Sequence, residues 1–520
     1  MNKMVTKLKS VVKGIINGFD RIVFKGSMLP LMSAKGAMDF CCSHKIRNTD
    51  FKSWAMAQTE QVVQDAKSYA RAHGAVGIVP IFTSQVRKED LAHAHQAEHD
   101  ITSGLIGVYS CIEPCWSYKA QYSEGRGYPL LRKDWTKCKH LYFYFDHEQY
   151  GFMNIRLQTW FPYHVQICLN GRQWLRRGLE SLGVPFVSRD NKFFDIGDYE
   201  LAQHLLDQQL DTQWHSLLDE FTSAVFPSRL DIIGSRLSYY WTLWQSEWAT
   251  DFIFPSPEDI APIMDSLLRH AFMTGVSTRV LRYMDRPLKL DGTPYGSNSN
   301  EVISKLLSYG EGMRIRHWVD SNSVKLYNEL NNLRVESTIN KASMFRVQRC
   351  ATAQSSSPKR FLPLRQGVAD ITLRSQVSQQ INDRFLDNLA AAQCEKPVRE
   401  LLDAVVVPLK KQGRRVRALD PTGKDRALLQ AISDPSFSVS ALSNPALREK
   451  LRGKSGFDKR TDKQLSAKIS RLLRLLRDHG VIRKIPKRRK YVLTTKGQEL
   501  TASLNALLAA STQQLMGKAA

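Results

Sequence analysis

Two stretches of the chain combine carboxylates with a tyrosine, the side chains that phosphodiester chemistry needs. In the first, YYWTLWQSEWATDFIF, an extended chain would place Glu247 and Asp251 on one side. The second contains Lys325, Tyr327 and Glu336. Divalent cations such as Mg²⁺ and Mn²⁺ prefer carboxylate oxygens, and an activated tyrosine hydroxyl is a nucleophile. The pattern predicts a metal site at Glu247 and Asp251, which Glu336 would complete if the sheet brings it alongside.

The second stretch predicts a small antiparallel sheet. Short runs at Met313–Val319, Ser323–Tyr327, Leu333–Asn340 and Met344–Val347 are typical of strands joined by Asp, Ser and Asn turns. Because side chains alternate along a strand, neighbouring strands would share one polar face. That face would carry Arg314, Arg316, Lys325, Tyr327, Arg334 and Glu336. A half-buried sheet with a solvated outer face fits the same pattern, so a structural interpretation stays open beside the catalytic one.

These two stretches resemble the core of rolling-circle replication initiators, of the tyrosine-dependent type without a two-histidine metal motif. The resemblance is carried by QSEWATDFIF, by GMRIRHWVDSNSVKLY and by LRVE, within residues 239–340. It implies a metal held by acids on a sheet and a tyrosine that attacks a DNA phosphodiester. Residue by residue, Glu247 and Asp251 match the paired acids, Tyr327 the tyrosine and Glu336 the acid of the last strand.

The match has departures. Asn328 and Glu329 follow Tyr327 where the family carries a lysine, and Glu247 stands where aspartate is more usual. The missing lysine affects mainly the assignment of Tyr327 as the family's tyrosine.

Other residues complete this catalytic interpretation. Lys325 and Arg334 would stabilise the charge that develops on the phosphate. Tyr239 and Tyr240 are alternative nucleophiles. The resulting prediction is a metal-dependent DNA endonuclease or strand transferase of a mobile element, plasmid or phage.

Two other functions fit the sequence. Asp20 in FDRIVFKG and Asp146 in YFYFDHE could be the strand acids of an RNase H-like transposase or nuclease, which uses two metals and no tyrosine. A non-enzymatic DNA-binding or structured-RNA-binding protein is the third interpretation, with every acid in a structural ion pair.

The charge of the chain predicts a polyanionic partner. Its 520 residues contain 74 Lys and Arg against 50 Asp and Glu, a net charge of +24. Nucleic acid, DNA first and structured RNA second, is the simplest such partner. A hydrophobic content of 42% is that of an ordinary soluble protein, and no stretch predicts a membrane span. We expect a cytoplasmic, nucleoid-associated protein of a prokaryote or phage, with a homodimer left open.

Cysteine and histidine spacing offers weaker metal candidates. Eight cysteines in a chain of this length indicate reduced thiols rather than a disulfide scaffold. A zinc set could be assembled from Cys111, Cys115, Cys138 and His140. Cysteine is more often a small buried apolar residue. His95 and His99 would lie one turn apart on a helix, where a solvated face is the simpler interpretation.

The last hundred residues resemble a winged helix-turn-helix module. Helices are predicted at Asp425–Ile432, Val439–Arg452 and Asp462–His479, followed by the hairpin VIRKIPKRRKYVLT and a final helix. Between Leu451 and Leu500, sixteen Lys and Arg face four Asp and Glu, so half of the excess charge lies there. In that module, nucleic acid would contact the third helix and the hairpin. The predicted contacts are Lys463, Lys468, Arg471, Arg474, Lys484, Lys487, Arg488, Arg489 and Lys490.

The order of elements predicts an α+β fold with a mixed or antiparallel sheet, flanking helices, a helical linker and a C-terminal winged helix. Predicted domains are residues 1–225, an α/β region; 226–350, the catalytic core; 351–420, a basic linker with helices; and 421–520, the nucleic-acid-binding module. A short helix is expected at Glu301–Leu307. In the first domain, Trp160 and Arg172, with Tyr163 beside them, could stack on unpaired bases.

Overall fold

The chain divides into two units, each built from segments that are distant in sequence. Ile15–Asp251 and Thr338–Gln379 form the sheet unit, and Met1–Gly14, Phe252–Ser337 and Gln380–Ala520 form the carboxy-terminal unit. The computed structural model describes residues 3–83, 86–122, 125, 127–275, 277–285, 302–310, 312–351, 358–390, 398–411, 413–434, 437, 442–458, 461–485 and 489–509.

A mixed sheet organises the sheet unit. Its strands are β1 (Gly14–Ser27), β2 (Ile78–Ile81), β3 (Gly104–Gln121), β4 (Leu130–His147), β5 (Gly151–Gln158), β6 (Val165–Asn170), β7 (Phe186–Arg189), β8 (Lys192–Ile196) and β9 (Tyr240–Ile253). The order across the sheet is β9-β1-β6-β5-β4-β3-β2, and β7 and β8 form a separate hairpin. β2 is parallel to β3, whereas β3, β4, β5, β6 and β1 pair antiparallel in that order. The predicted α+β class with a mixed sheet and flanking helices is confirmed.

Strand alternation separates this sheet into an apolar face and a polar face. The register aligns Phe24, Ile167, Ile155, Phe143 and Val108 in one row across five strands, each at most 2% exposed. This row belongs to the main core, where helices pack on the sheet. The helices of the unit are Ala34–Ser43, Phe51–Ala72, Lys88–Glu98, Gly171–Ser181, Tyr199–Gln208, Trp214–Val225 and Arg229–Ile233.

Four strands of the carboxy-terminal unit lie side by side in a sheet in the order of the sequence. They are β10 (Val302–Tyr309), β11 (Gly312–Val319), β12 (Asn322–Glu329) and β13 (Asn332–Ile339). β10 pairs antiparallel with β11, and β11 with β12. One face is apolar and buried, with Ile315 opposite Leu326. The helices of the unit before the linker are Lys3–Leu8, Pro257–Thr274 and Ser277–Tyr283, and the helix Ile371–Leu389 runs from one unit into the other along the chain.

Two local predictions are wrong. The helix expected at Glu301–Leu307 does not form over the described residues of that range, because residues 302–309 pair as β10 along the whole of β11. Met344–Val347 does not add a strand to the β10–β13 sheet. A 3-10 turn at Ala342–Met344 precedes β14 (Arg346–Arg349), which pairs with β15 (Arg360–Pro363) in a sheet of its own. In the basic linker, β16 (Leu409–Lys411) and β17 (Arg414–Val416) form a hairpin.

The C-terminal module has its elements in the expected order. Helices Val398–Val406, Arg426–Ile432, Asn444–Leu451 and Asp462–Asp478 precede the hairpin of β18 (Ile482–Lys484) and β19 (Tyr491–Leu493), and helix Thr495–Ala509 follows. Thr461 and Gln464 form a capping box that starts the longest of these helices. An apolar stripe of this helix is buried, at Leu465, Ile469, Leu472, Leu473 and Leu476. Membership of the winged-helix family stays a prediction.

Within the described residues, none of the helices combines the length and apolar character that a membrane crossing requires.

Candidate nucleic-acid interface

The polar face of the β10–β13 sheet gathers the predicted catalytic residues. The register sets Arg314 opposite Tyr327 and Arg316 opposite Lys325. The Tyr327 hydroxyl donates a hydrogen bond of 2.9 Å to Oε2 of Glu336, and the Lys325 ammonium forms an ion pair with the same carboxylate. Tyr327, Lys325 and Glu336 are all buried. The structure therefore brings these three predicted residues together, but away from solvent.

The Glu336 carboxylate is held in its charged form. Burial by itself would raise the pKa of this carboxyl group, but Lys325 and Arg334, together with the hydrogen bonds from Lys325 and Tyr327, hold the pKa below its usual range. An ionised carboxylate at 2.9 Å can accept the phenolic proton of Tyr327. The arrangement can therefore activate a tyrosine nucleophile, and in the absence of a substrate it is a buried ion pair within the sheet.

Asp251 and Arg172, predicted as a metal ligand and a nucleic-acid contact, bind each other instead. The Arg172 guanidinium and the Asp251 carboxylate approach to 2.8 Å, and both side chains are completely buried. Arg172 also donates to the carbonyl oxygen of Ala249 at 3.0 Å. These contacts give both residues a structural role, and neither side chain reaches the surface from which a ligand would approach.

Glu247 lies beside an acid of the other enzyme interpretation. Its carboxylate oxygen is within 4.8 Å of that of Asp20, on the neighbouring strands β9 and β1. Glu247 is half-buried and Asp20 is buried. Two carboxylates at this separation can share a divalent cation. Glu336, the third member of the predicted metal set, belongs to the carboxy-terminal unit.

Asp146 and Asp20 do not form the pair of acids that the RNase H-like interpretation requires. Two strands, β6 and β5, lie between β1 and β4, which puts the strands roughly 14 Å apart across the sheet. The Asp146 carboxylate instead accepts hydrogen bonds from Arg177 and, at 2.8 Å, from Gln96. The RNase H-like pair predicted from the sequence is therefore divided across the sheet.

The aromatic candidates near Trp160 lie against the core. The Trp160 indole is half-buried and donates to the carbonyl oxygen of Tyr118 at 3.4 Å. Tyr163 is buried, and its carbonyl oxygen accepts a hydrogen bond of 2.7 Å from the hydroxyl of Tyr239. Burial raises the pKa of both phenols well above the usual range. Of the two alternative nucleophiles, Tyr239 is enclosed and Tyr240 is exposed.

A basic groove crosses the surface of the C-terminal module. It has a volume of about 1130 Å³ and lies between helix Asn444–Leu451, helix Asp462–Asp478 and the β18–β19 hairpin. The described residues that line it are Ser443, Asn444, Pro445, Arg448, Ser466, Ser470, Leu473, Lys484, Arg489, Lys490 and Tyr491. Four cationic side chains therefore face the groove, and the lining described by the structure contains no carboxylate. Such a surface attracts phosphate groups.

Hydrogen bonds between the helices fix the floor of this basic groove. The Asn444 amide donates to the Ser470 hydroxyl and to the Ser466 carbonyl oxygen, both at 2.8 Å. The Ser466 hydroxyl donates back to Asn444 Oδ1 at 3.1 Å. Sequence reasoning named Lys484, Arg489 and Lys490 but missed Arg448 and these polar partners. The spacing of Ser466 and Ser470, one helical turn apart, is the signal that was available.

The other predicted contacts of the module differ in their surroundings. Lys463, Arg471 and Arg474 are exposed on helix Asp462–Asp478. Lys468 is held, since its ammonium donates to the Gly456 carbonyl oxygen at 2.6 Å and lies 4.2 Å from the ring centre of Phe457. Lys487 and Arg488 lie outside the described residues.

Some residues of the two weaker candidate metal sites, the cysteine–histidine set and the histidine pair, also lie close together. The sulfur atoms of Cys115 and Cys138 are 2.9 Å apart, and Cys138 Sγ lies 4.0 Å from Nδ1 of His140. Burial lowers the pKa of the His140 imidazole to about 4, so the ring is neutral at pH 7. The rings of His95 and His99, at the end of helix Lys88–Glu98, are tilted by 44° with their centres 4.2 Å apart.

No protein-family model, curated protein or solved structure matches this chain.

Proposed function

We propose that the protein binds nucleic acid through the basic groove of its C-terminal module. The observation that carries the proposal is the lining of that groove: Arg448, Lys484, Arg489 and Lys490 face it, and its described lining holds no carboxylate. Cations gathered without acids repel one another, and a phosphate backbone relieves that repulsion while releasing its own counterions.

Helix Asp462–Asp478 extends the same basic surface. Lys463, Arg471 and Arg474 lie on its exposed side, while the opposite stripe is buried in the module's core. A helix of this kind can enter a major groove or lie along a structured RNA. These cationic side chains would contact phosphate, so they would supply affinity and orientation rather than sequence readout.

Binding measured as a function of salt tests this proposal. The full chain is titrated against labelled duplex DNA and against a labelled RNA hairpin at several salt concentrations, with fluorescence anisotropy as the readout. Replacing Lys484, Arg489 and Lys490 by Gln should lower the slope of log affinity against log salt by roughly 2 to 3, since each lost phosphate contact removes about 0.9 for B-form DNA.

A charge-matched control separates the groove from net charge. Arg399, Lys424 and Lys454 are exposed cations outside the groove lining, and their joint replacement by Gln removes the same charge. This control should keep most of the slope. If both triple variants lose the same amount of slope, binding depends on net charge and not on the groove. If both variants bind as tightly as the wild type, the groove is not the binding site.

A second candidate function is metal-dependent DNA nicking with a tyrosine nucleophile. The hydrogen bond from Tyr327 to the ionised Glu336 carboxylate favours it. In that reaction the phenol oxygen would attack phosphorus as its proton passes to Glu336, and a P–O ester bond would break with release of a DNA hydroxyl. Lys325 and Arg334 would stabilise the charge on the phosphate. The carboxylates of Asp20 and Glu247 are the oxygen ligands that Mg²⁺ or Mn²⁺ prefers.

Covalent trapping distinguishes the two candidates. The protein is incubated with single-stranded DNA and Mn²⁺ and is run on a denaturing gel. A shifted band that Tyr327→Phe abolishes would establish tyrosine transfer, and a band that Tyr240→Phe abolishes would move the nucleophile. Binding without an adduct or cleavage would leave a recognition protein.

A further inference from the structure

Three tryptophans of the described chain surround one cavity on the polar face of the sheet unit. Trp116, Trp135 and Trp244 are 48%, 56% and 47% exposed. They line a cavity of about 210 Å³, and the rings of Trp116 and Trp135 meet edge to face at 5.2 Å. Exposed indoles that gather around one concave site indicate a binding surface, since a single exposed aromatic is common and a cluster is not.

Cations are interleaved with these indoles. The Lys25 ammonium lies 4.8 Å from the ring centre of Trp244, and the Lys133 ammonium 5.7 Å from that of Trp116. Arg156 also lines the cavity, whose described lining contains no carboxylate. Burial lowers the pKa of Lys25, and Arg156 and Lys133 lower it further, because like charges in this cavity repel one another. Arg156 also forms an ion pair of 2.8 Å with Glu113, which offsets part of its charge. An anion placed among them would remove that repulsion.

The fold makes this cavity from residues that are far apart in the sequence. The register sets Lys25 opposite Gln166 and Gln166 opposite Arg156, one position along from the buried row of Phe24, Ile167 and Ile155. Strand alternation therefore turns this polar row away from the main core. The flanking indoles come from β3, β4 and β9, so rigid strands position the aromatic walls and the cationic floor.

We propose that this cavity, the tryptophan pocket, binds an unpaired nucleotide of a single-stranded nucleic acid. A flat base would stack on the indoles, and its phosphate would lie among Lys25, Arg156 and Lys133. The inference rests on the proposed nucleic-acid function but concerns a different unit from the basic groove.

Stacking gives the pocket a measurable signature. Titration of the full chain with a short oligothymidylate should quench tryptophan fluorescence, and anisotropy of the labelled strand gives the affinity. Trp244→Ala and Trp135→Ala should each weaken single-strand binding about tenfold. Trp244→Phe should restore part of it, because a phenyl ring still stacks. Tyr128→Ala is the control, since Tyr128 is 57% exposed and is not part of the cavity lining.

Three outcomes would overturn the inference. Losses in the Tyr128→Ala control as large as those in the tryptophan variants would make the effect non-specific, and single-strand binding unaffected by both tryptophan variants would place it elsewhere. A mononucleotide that binds as tightly as the oligonucleotide would assign the pocket to a free nucleotide.

Duplex binding, measured in parallel, separates this inference from the proposed function. The tryptophan variants should retain wild-type affinity for duplex, and the Lys484, Arg489 and Lys490 variant should lose it. If the wild type binds duplex but not single strands, only the inference about the tryptophan pocket is refuted. If it binds neither, the proposed nucleic-acid-binding function is refuted as well.

Discussion

The Arg172 guanidinium and the Asp251 carboxylate form an ion pair of 2.8 Å in which neither side chain is exposed. The pair joins helix Gly171–Ser181 to β9 inside the sheet unit. A buried charge is costly once its partner is removed, so the contribution of each residue to stability depends on the other.

Removing one member of this pair should destabilise the sheet unit strongly. We expect Arg172→Met or Asp251→Asn to lower the free energy of unfolding by roughly 3 to 5 kcal/mol, because each leaves a desolvated polar partner. The double variant Arg172→Met with Asp251→Leu should lose much less. Hydrogen exchange of the β9 amides measures the effect in the sheet unit. Small and additive losses would show that the two charges do not depend on each other.

Tyr327 and Lys325 should differ in their contribution to stability. Tyr327→Phe removes one hydrogen bond and leaves Glu336 paired with Lys325, so we expect a loss of about 1 kcal/mol. Lys325→Met removes the charge that faces a buried carboxylate and should cost roughly 3 kcal/mol or more. Hydrogen exchange of the β12 and β13 amides gives both values. Equal losses would contradict the ion pair as the dominant contact.

The low pKa of the Glu113 carboxyl group predicts that the folded protein loses stability in acid. Burial opposes its ionisation, but hydrogen bonds from Lys88 and Tyr142 and the nearby Arg156 lower the pKa of the carboxyl group from 4.5 to about 2. Because the folded pKa is the lower one, the stabilisation is complete above about pH 4.5 and is lost as the pH falls toward 2. Because solvent screens a carboxylate that is only partly buried, it amounts to roughly 1 to 2 kcal/mol.

The measurement for Glu113 is the free energy of unfolding from pH 7 down to pH 2.5 in the wild type and in Glu113→Gln. The variant should be less stable at pH 7, and the difference should shrink in acid. Asp134→Asn is a control for an exposed carboxylate, whose pair with Lys119 is on the surface. A difference that does not change with pH would refute the assignment.

The sequence predicts best what short-range geometry decides. Alternation identified β9, β11, β12 and β13, and with them the shared face of Arg314, Lys325 and Tyr327. Helix Asp462–Asp478 is predicted by the helical spacing of its apolar residues, and the structure adds the cap at Thr461. These features depend on residues only a few positions apart.

Contacts between distant segments were not readable in the same way. Arg172 is on a helix and Asp251 on a strand, and only the folded sheet unit shows that they meet. The tryptophan pocket draws on six strands, so Trp244 appeared in the sequence as one of several apolar residues on a strand face. Residues 302–309 form a strand because hydrogen-bonded pairing with β11 outweighs their weak local preference for a helix.

Asp20 and Glu247 give the sharpest test of metal binding. Their carboxylate oxygens lie within 4.8 Å of one another, and a shared Mn²⁺ would stabilise the folded state by about 2.7 kcal/mol at a concentration one hundred times its dissociation constant. Mn²⁺ should therefore raise the melting temperature of the wild type, and Asp20→Asn and Glu247→Gln should each abolish that shift. Asp146→Asn, which changes an acid bound to Arg177, should keep it. If Asp20→Asn responds to Mn²⁺ like the wild type, any bound metal lies elsewhere, and nicking would have to proceed without these two carboxylates.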